Sequence, residues 1–123
     1  MQLLFIGIGG FAGAIARYTI SGGVNSFFGA RLPYGTLVVN VLGSFLLGLV
    51  YALSVEKNIV PPALRLPLSV GFLGALTTFS TFSLETVHLV NAGNFLYSIL
   101  NISINILLSI AAVIMGMYLA KVF

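Results

Sequence analysis

A chain of 123 residues that is 59% hydrophobic and 6% charged, with a net charge of +3, lacks the surface of a water-soluble domain, where about a quarter of residues are charged. Five basic and two acidic side chains cannot clothe a water-facing body, and a mean hydropathy of +1.16 points to lipid as the solvent. The charges are scattered, which argues against a nucleic-acid footprint, and the absence of cysteine excludes disulfides and thiolate chemistry.

A membrane-spanning helix takes roughly 20 apolar residues. The length therefore leaves room for four such helices with short connections, and the chain is expected to be a single all-α membrane domain over residues 1–123. Met1-Gln2-Leu3-Leu4 carries no basic lead, so the apolar stretch behind it reads as a first helix and not as a cleaved signal. That helix is predicted from about Leu3 to Ile20. Gly9, Gly10, Gly13 and Ala14 let a neighbour approach closely, and Arg17 sits about one turn from its end. Ser21 to Gly35, with its Gly, Ser and Pro33, reads as the first break.

A second helix is predicted from Thr36 to Val55, with Asn40, Ser44 and Gly48 in one narrow stripe. The Glu56 to Pro62 loop ends in Pro61-Pro62, and a third helix is expected from Leu66 to about His88. A fourth follows the Asn91-Ala92-Gly93-Asn94 turn, from about Phe95 to Ala120.

The third helix holds five hydroxyl residues and two phenylalanines within the seven positions Thr77 to Ser83. Two readings fit. Ser and Thr can bond back to i−4 carbonyls and merely bend an ordinary helix. Alternatively, the helix unwinds in mid-membrane after Gly71 and Gly74, and a broken helix at that depth offers carbonyls to a cation and amides to an anion. The fourth helix adds Ser98, Asn101, Asn105 and Ser109 on one face. Asparagine in a membrane helix serves as interhelical glue or faces a polar path, and a stripe continued over three helices favours a path.

These groups are neutral donors, amides and hydroxyls beside phenylalanine ring edges, and no carboxylate lies deep in a span. Such a lining suits a small, hard anion that accepts strong hydrogen bonds. His88 is the only histidine, and no nucleophile–base pair or phosphate loop is evident, so an enzyme is not expected.

Gly9-Gly10-x-x-Gly13-Ala14-x-x-Arg17-Tyr18, Gly35-Thr36-Leu37-x-x-Asn40-x-x-Gly43 and the run from Gly71 to Glu85 resemble the motifs of the CrcB or Fluc family of small fluoride-exporting channels. The resemblance implies an antiparallel, dual-topology homodimer in a bacterial or archaeal inner membrane, with lipid and fluoride as its partners and no nucleic acid or other protein. It implies a structural sodium (Na+) on the dimer axis, held by main-chain carbonyls of Gly74 and Thr77 from both protomers. It implies pore-lining roles for Asn40, Phe79, Ser80, Thr81 and Phe82, and a vestibule role for Arg17. The family's helix-four track contains a tyrosine and serines; here Asn101, Asn105 and Ser109 occupy its places, a departure that keeps donors.

Two other functions compete. A proton-coupled multidrug exporter needs an embedded carboxylate, for which Glu85 is the only candidate, and a non-conducting assembly protein needs no path at all. The basic residues near the two membrane faces are nearly balanced: Lys57, Arg65 and Lys121 on one, Arg31 and Arg17 on the other. So small a bias does not force one orientation.

Overall fold

Four helical spans, Gln2–Phe28, Tyr34–Glu56, Pro62–Asn91 and Phe95–Val122, make up the computed structural model, which describes residues 1–29 and 31–123. Each is long and apolar enough to cross a membrane. Ala30, inside the expected first loop, lies outside the described residues.

Helix α1 (Gln2–Phe28) runs well past the break expected at Ser21. The reason is local bonding. The Ser21 hydroxyl donates to the Arg17 carbonyl at 2.6 Å, as the Thr19 hydroxyl does to the Ile15 carbonyl at 2.9 Å, so Ser21 is absorbed by the helix that it was expected to end. The helix stops at Gly29, whose φ of 80° lies where a side chain would be strained. Asn25 then reaches across the turn, and its Oδ1 accepts from the Gly35 amide at 2.8 Å in the first turn of α2 (Tyr34–Tyr51).

The second span leaves α-geometry over Ala52–Glu56, a π-helical turn, and the following loop is clipped by Arg65. Its Nη2 donates to Asn58 Oδ1 at 2.8 Å and its Nε to the Val60 carbonyl at 3.1 Å. Asn58 itself holds a positive φ of 54°.

The third span is built from pieces. Helix α3 (Pro62–Leu66) opens on a proline at its first position, where the missing N–H costs nothing. Pro67 then lacks the N–H that would continue the ladder, and Pro67–Leu73 widens into a π-helix. Helix α4 (Gly74–Leu76) is short, Thr77 (ψ 155°) and Thr78 (φ −152°, ψ 122°) are extended, and α5 (Phe79–Asn91) restarts behind them. The helix is interrupted at these two threonines and not at Gly74, which keeps helical angles (φ −64°, ψ −33°). The last span is α6 (Phe95–Leu119) with a closing 3-10 turn, Ala120–Val122.

Two close helix contacts position the break. A Cβ on Gly9 would run into the Pro67 carbonyl and one on Gly13 into the Phe72 carbonyl, so α1 lies directly on the π-helical segment. Likewise Gly48 of α2 meets the Val113 carbonyl, and Gly116 of α6 meets the Phe45 carbonyl. In lipid there is no hydrophobic drive between helices, and close backbone contact of this kind supplies packing instead. The buried cluster is correspondingly small: Val39, Leu73 and Leu76, flanked by Ala16, Ile20 and Phe72.

Candidate functional site

The centre of the site is the backbone that the break sets free. A residue in extended conformation inside a helical span has an N–H and a C=O without helical partners, each costly in hydrocarbon. At Thr78 one side chain answers both. Asn40 Oδ1 accepts from the Thr78 amide at 2.8 Å, and Asn40 Nδ2 donates to the Thr78 carbonyl at 3.1 Å. Thr78 also caps α5: its Oγ1 accepts from the Thr81 amide at 3.2 Å and donates to Thr81 Oγ1 at 3.1 Å, with Ser80 Oγ 3.3 Å away.

These bonds have a consequence for the carbonyls upstream. In an unbroken helix the Thr78 amide would serve the Gly74 carbonyl and the Thr81 amide the Thr77 carbonyl. Both amides are taken, by Asn40 and by the Thr78 hydroxyl. The carbonyls of Gly74 and Thr77 are thus released from their helical donors, and both residues retain exposure on the protomer surface.

The Phe79 and Phe82 rings flank the break, centroids 5.3 Å apart at 57°. Phe79 is 77% exposed, whereas Phe82 is buried. Both line an open groove of about 350 Å³ with Asn40, Ser44, Thr77, Thr78, Asn105 and Ser109. A smaller cavity of about 190 Å³ lies on the other side of Thr78, lined by Arg17, Ser21, Thr36, Val39, Thr78 and Thr81 among others. Thr78 alone belongs to both. The structure therefore gathers Asn40, Phe79, Phe82, Asn105 and Ser109 in one place, and Arg17 with Thr81 in the next. Ser80 is exposed and lines neither cavity.

Asn101 also lines neither. It is 4% exposed, lies behind the groove wall, and donates from Nδ2 to Thr86 Oγ1 at 2.9 Å. Asn105, 5% exposed, donates from Nδ2 to the Asn101 carbonyl at 3.1 Å and to Asn101 Oδ1 at 3.0 Å, while its Oδ1 accepts from Asn40 at 3.1 Å. Asn105 thus lines the groove while its Nδ2 is bonded to Asn101 within the protomer.

Several contributors escaped the sequence reading. Thr36 donates to Glu85 Oε1 at 2.7 Å, tying the one acidic residue of the third span to α2. A cavity of about 490 Å³ at this end carries Asn25, Arg31, Glu85 and His88. Thr78 as a cap was legible in principle, since Thr78-x-x-Thr81 has the spacing of an N-cap and its third helical residue.

Comparison with known proteins fits this geometry. Residues 4–117 match the family described as CrcB-like protein, Camphor Resistance (CrcB). The fluoride-specific ion channel FluC of Shewanella denitrificans is 48% identical over 118 residues, 96% of this chain and 94% of that one. FluC of Magnetococcus marinus is 43% identical over 121 residues, 98% of each chain. FluC of Citrifermentans bemidjiense is 42% identical over 120 residues, covering 98% of this chain and 97% of the relative.

Proposed function

Because the chain belongs to the CrcB-like family and is matched over nearly its whole length by fluoride-specific channels, we propose that it is a passive, fluoride-selective channel of the cell membrane that lets fluoride leave the cytoplasm. The observation that carries this reading is the interruption at Thr77 and Thr78, satisfied by side chains and flanked by the two phenylalanine rings. We place this interruption at mid-membrane depth. Fluoride gives up its water only where other donors replace it, and the larger chloride is served less well by the same lining. The Thr81 and Ser80 hydroxyls, with the positive edges of Phe79 and Phe82, are the donors we assign to the ion, with Ser109 further along the groove and Arg17 drawing anions to the mouth.

The groove is open along one side of the protomer, and a second copy is the natural cover. We read the working unit as an antiparallel homodimer in a bacterial or archaeal inner membrane. The released carbonyls of Gly74 and Thr77 are the right chemistry for a hard monovalent cation, and we assign them a structural sodium shared between the two copies. That ion would neutralise carbonyl dipoles that otherwise face each other, and so hold the break in its extended form.

A proton-coupled exporter is not favoured, since the relatives that match nearly the whole chain are named fluoride-specific ion channels. The test is direct. Purified protein in liposomes loaded with potassium fluoride should release fluoride when valinomycin sets the voltage, and liposomes loaded with potassium chloride should release little. Equal release of the two anions, or none of either, overturns the reading.

A further inference from the structure

The bonds of Asn105 and Asn101 have a direction, and the direction starts at the break. The Thr78 amide can only donate, so the Asn40 amide must present Oδ1 to it and Nδ2 to the Thr78 carbonyl and to Asn105. Asn105 must then present Oδ1 to Asn40, which turns its own Nδ2 toward the two oxygens of Asn101. Asn101 in turn has Nδ2 left for Thr86 Oγ1, and the Thr86 hydroxyl donates to the Phe82 carbonyl at 2.8 Å. The chain of bonds leaves the third span at Thr78, crosses α2 and α6, returns to the third span at Thr86, about two turns after the break, and ends on the Phe82 carbonyl. It is one-way at every link.

We propose that Asn105 and Asn101 are positioning residues: through this relay they hold the Asn40 amide in the orientation that satisfies the Thr78 backbone, and they do not bind the transported anion. The inference rests on the channel reading above and adds residues that the reading leaves without a role. Two facts exclude a ligand role in this arrangement. Asn105 Nδ2 is already bonded to both oxygens of Asn101, and both residues are at least nineteen-twentieths buried within the protomer. To offer an N–H to an anion in the groove, the Asn105 amide would have to invert. Inversion would set its Nδ2 against Asn40 Nδ2 and its Oδ1 against the two Asn101 oxygens, breaking three bonds at once. Asn101 and Asn105 therefore serve the path without binding the ion. Their amides keep the break in shape, and the ion meets the hydroxyls and ring edges.

The proposal predicts a pattern of coupling, read as fluoride efflux from proteoliposomes. Asn105→Leu should slow efflux about tenfold, the rate equivalent of one lost neutral hydrogen bond and the shift that follows it. Asn101→Leu should slow it less, because Asn105 Nδ2 keeps the Asn101 main-chain carbonyl. The decisive variant is the double, Asn40→Ser with Asn105→Leu. If Asn105 acts only through Asn40, the double conducts as slowly as Asn40→Ser alone, to within about twofold. Effects that multiply overturn the relay, since an independent ion ligand or a general loss of folded protein acts equally on both backgrounds. Should Asn105→Leu not give monodisperse protein, the same cycle run with Asn101→Leu decides. Absence of fluoride efflux from the unsubstituted chain overturns the channel reading and the relay together. Normal efflux from that chain with multiplying effects overturns the relay alone.

Discussion

Asn40 shows how much a single side chain can carry in this protein. Its amide replaces, for Thr78, the two main-chain partners that an unbroken helix would have supplied. The sequence marks Asn40 plainly, as the one side-chain amide in a largely apolar α2, but spacing does not reveal what a stripe faces. Asn101 and Asn105 fall four apart and so share a side of α6, and that much was legible. That the side turns inward, against Thr86 and Asn40, depends on the rotation of α6 set by the Gly48 and Gly116 contacts. The phenylalanines are the converse case, since their exposure is uneven: Phe79 stands open on the groove and Phe82 is 7% exposed. If both rings offer polarised edges to the ion, Phe79→Ile and Phe82→Ile should each cut fluoride efflux, by about two- to tenfold for the 0.5–1.5 kcal/mol that an aromatic edge contributes beyond area. Phe82→Ile should also lower the melting temperature in detergent, because it opens space in a packed site, while Phe79→Ile should leave it nearly unchanged. Unaltered efflux in both variants, measured on monodisperse protein, would remove these rings from the pathway.

Elements were legible where lipid and water demand the same thing, and misread where they differ. The three inter-helix turns were anticipated from Gly, Pro and Asn, and turns near Pro33, Pro61 and Gly93 are present. Ser21-Gly22-Gly23, however, is turn chemistry only in water. In a span the backbone must stay bonded, hydroxyls fold back on i−4 carbonyls, and α1 continues to Phe28. The break in the third span shows the same competition resolved the other way. Gly71-x-x-Gly74 followed by Thr-Thr suggested where the helix would yield, and within that run it yields at Thr77 and Thr78, because those residues find substitutes for the lost bonds and Gly74 has no side chain to do so. The Thr77 hydroxyl keeps the Leu73 carbonyl at 3.0 Å and the Thr78 hydroxyl caps α5, so the interruption is bounded on both sides. Thr78→Val should therefore cost about 1 kcal/mol of cap energy and lower the melting temperature, and it should impair efflux by loosening Ser80 and Thr81. Thr78→Ser keeps the oxygen and should behave as the parent chain does. A valine variant that melts and conducts like the parent would show that the cap does not shape the path.

Orientation in the membrane belongs to the whole molecule, and neither the helices nor their contacts determine it. Short loops rich in Lys and Arg stay on the cytoplasmic side, and the excess between the two faces sets the orientation. With four spans, Lys57, Arg65 and Lys121 lie near one face, and Arg31 with the shallow Arg17 near the other. Arg65 bonds Asn58 and Val60 within its own loop, and Lys121 lies 4.4 Å from the Tyr118 ring centre; these neutral partners leave both charges in place, so the tally stays at three against two. So small a bias does not force one orientation, and we expect the chain to insert both ways. Two copies in opposite orientations are then related by an axis lying in the membrane plane, and each can cover the other's open groove with the same surface. A parallel pair with one fixed orientation is permitted by a difference of three against two, but not favoured by it. The expected outcome follows for labelling of intact cells with a membrane-impermeant maleimide, using a single cysteine placed in the turn from Asn91 to Asn94, since the chain has no cysteine of its own. About half of the protein should react from outside, and the remainder only after permeabilisation. Adding two lysines beside Asn91 should shift that division strongly toward one side and, by starving the antiparallel pair of one partner, should lower fluoride efflux in proportion. Complete labelling from a single side in the unmodified background would rule out the antiparallel dimer.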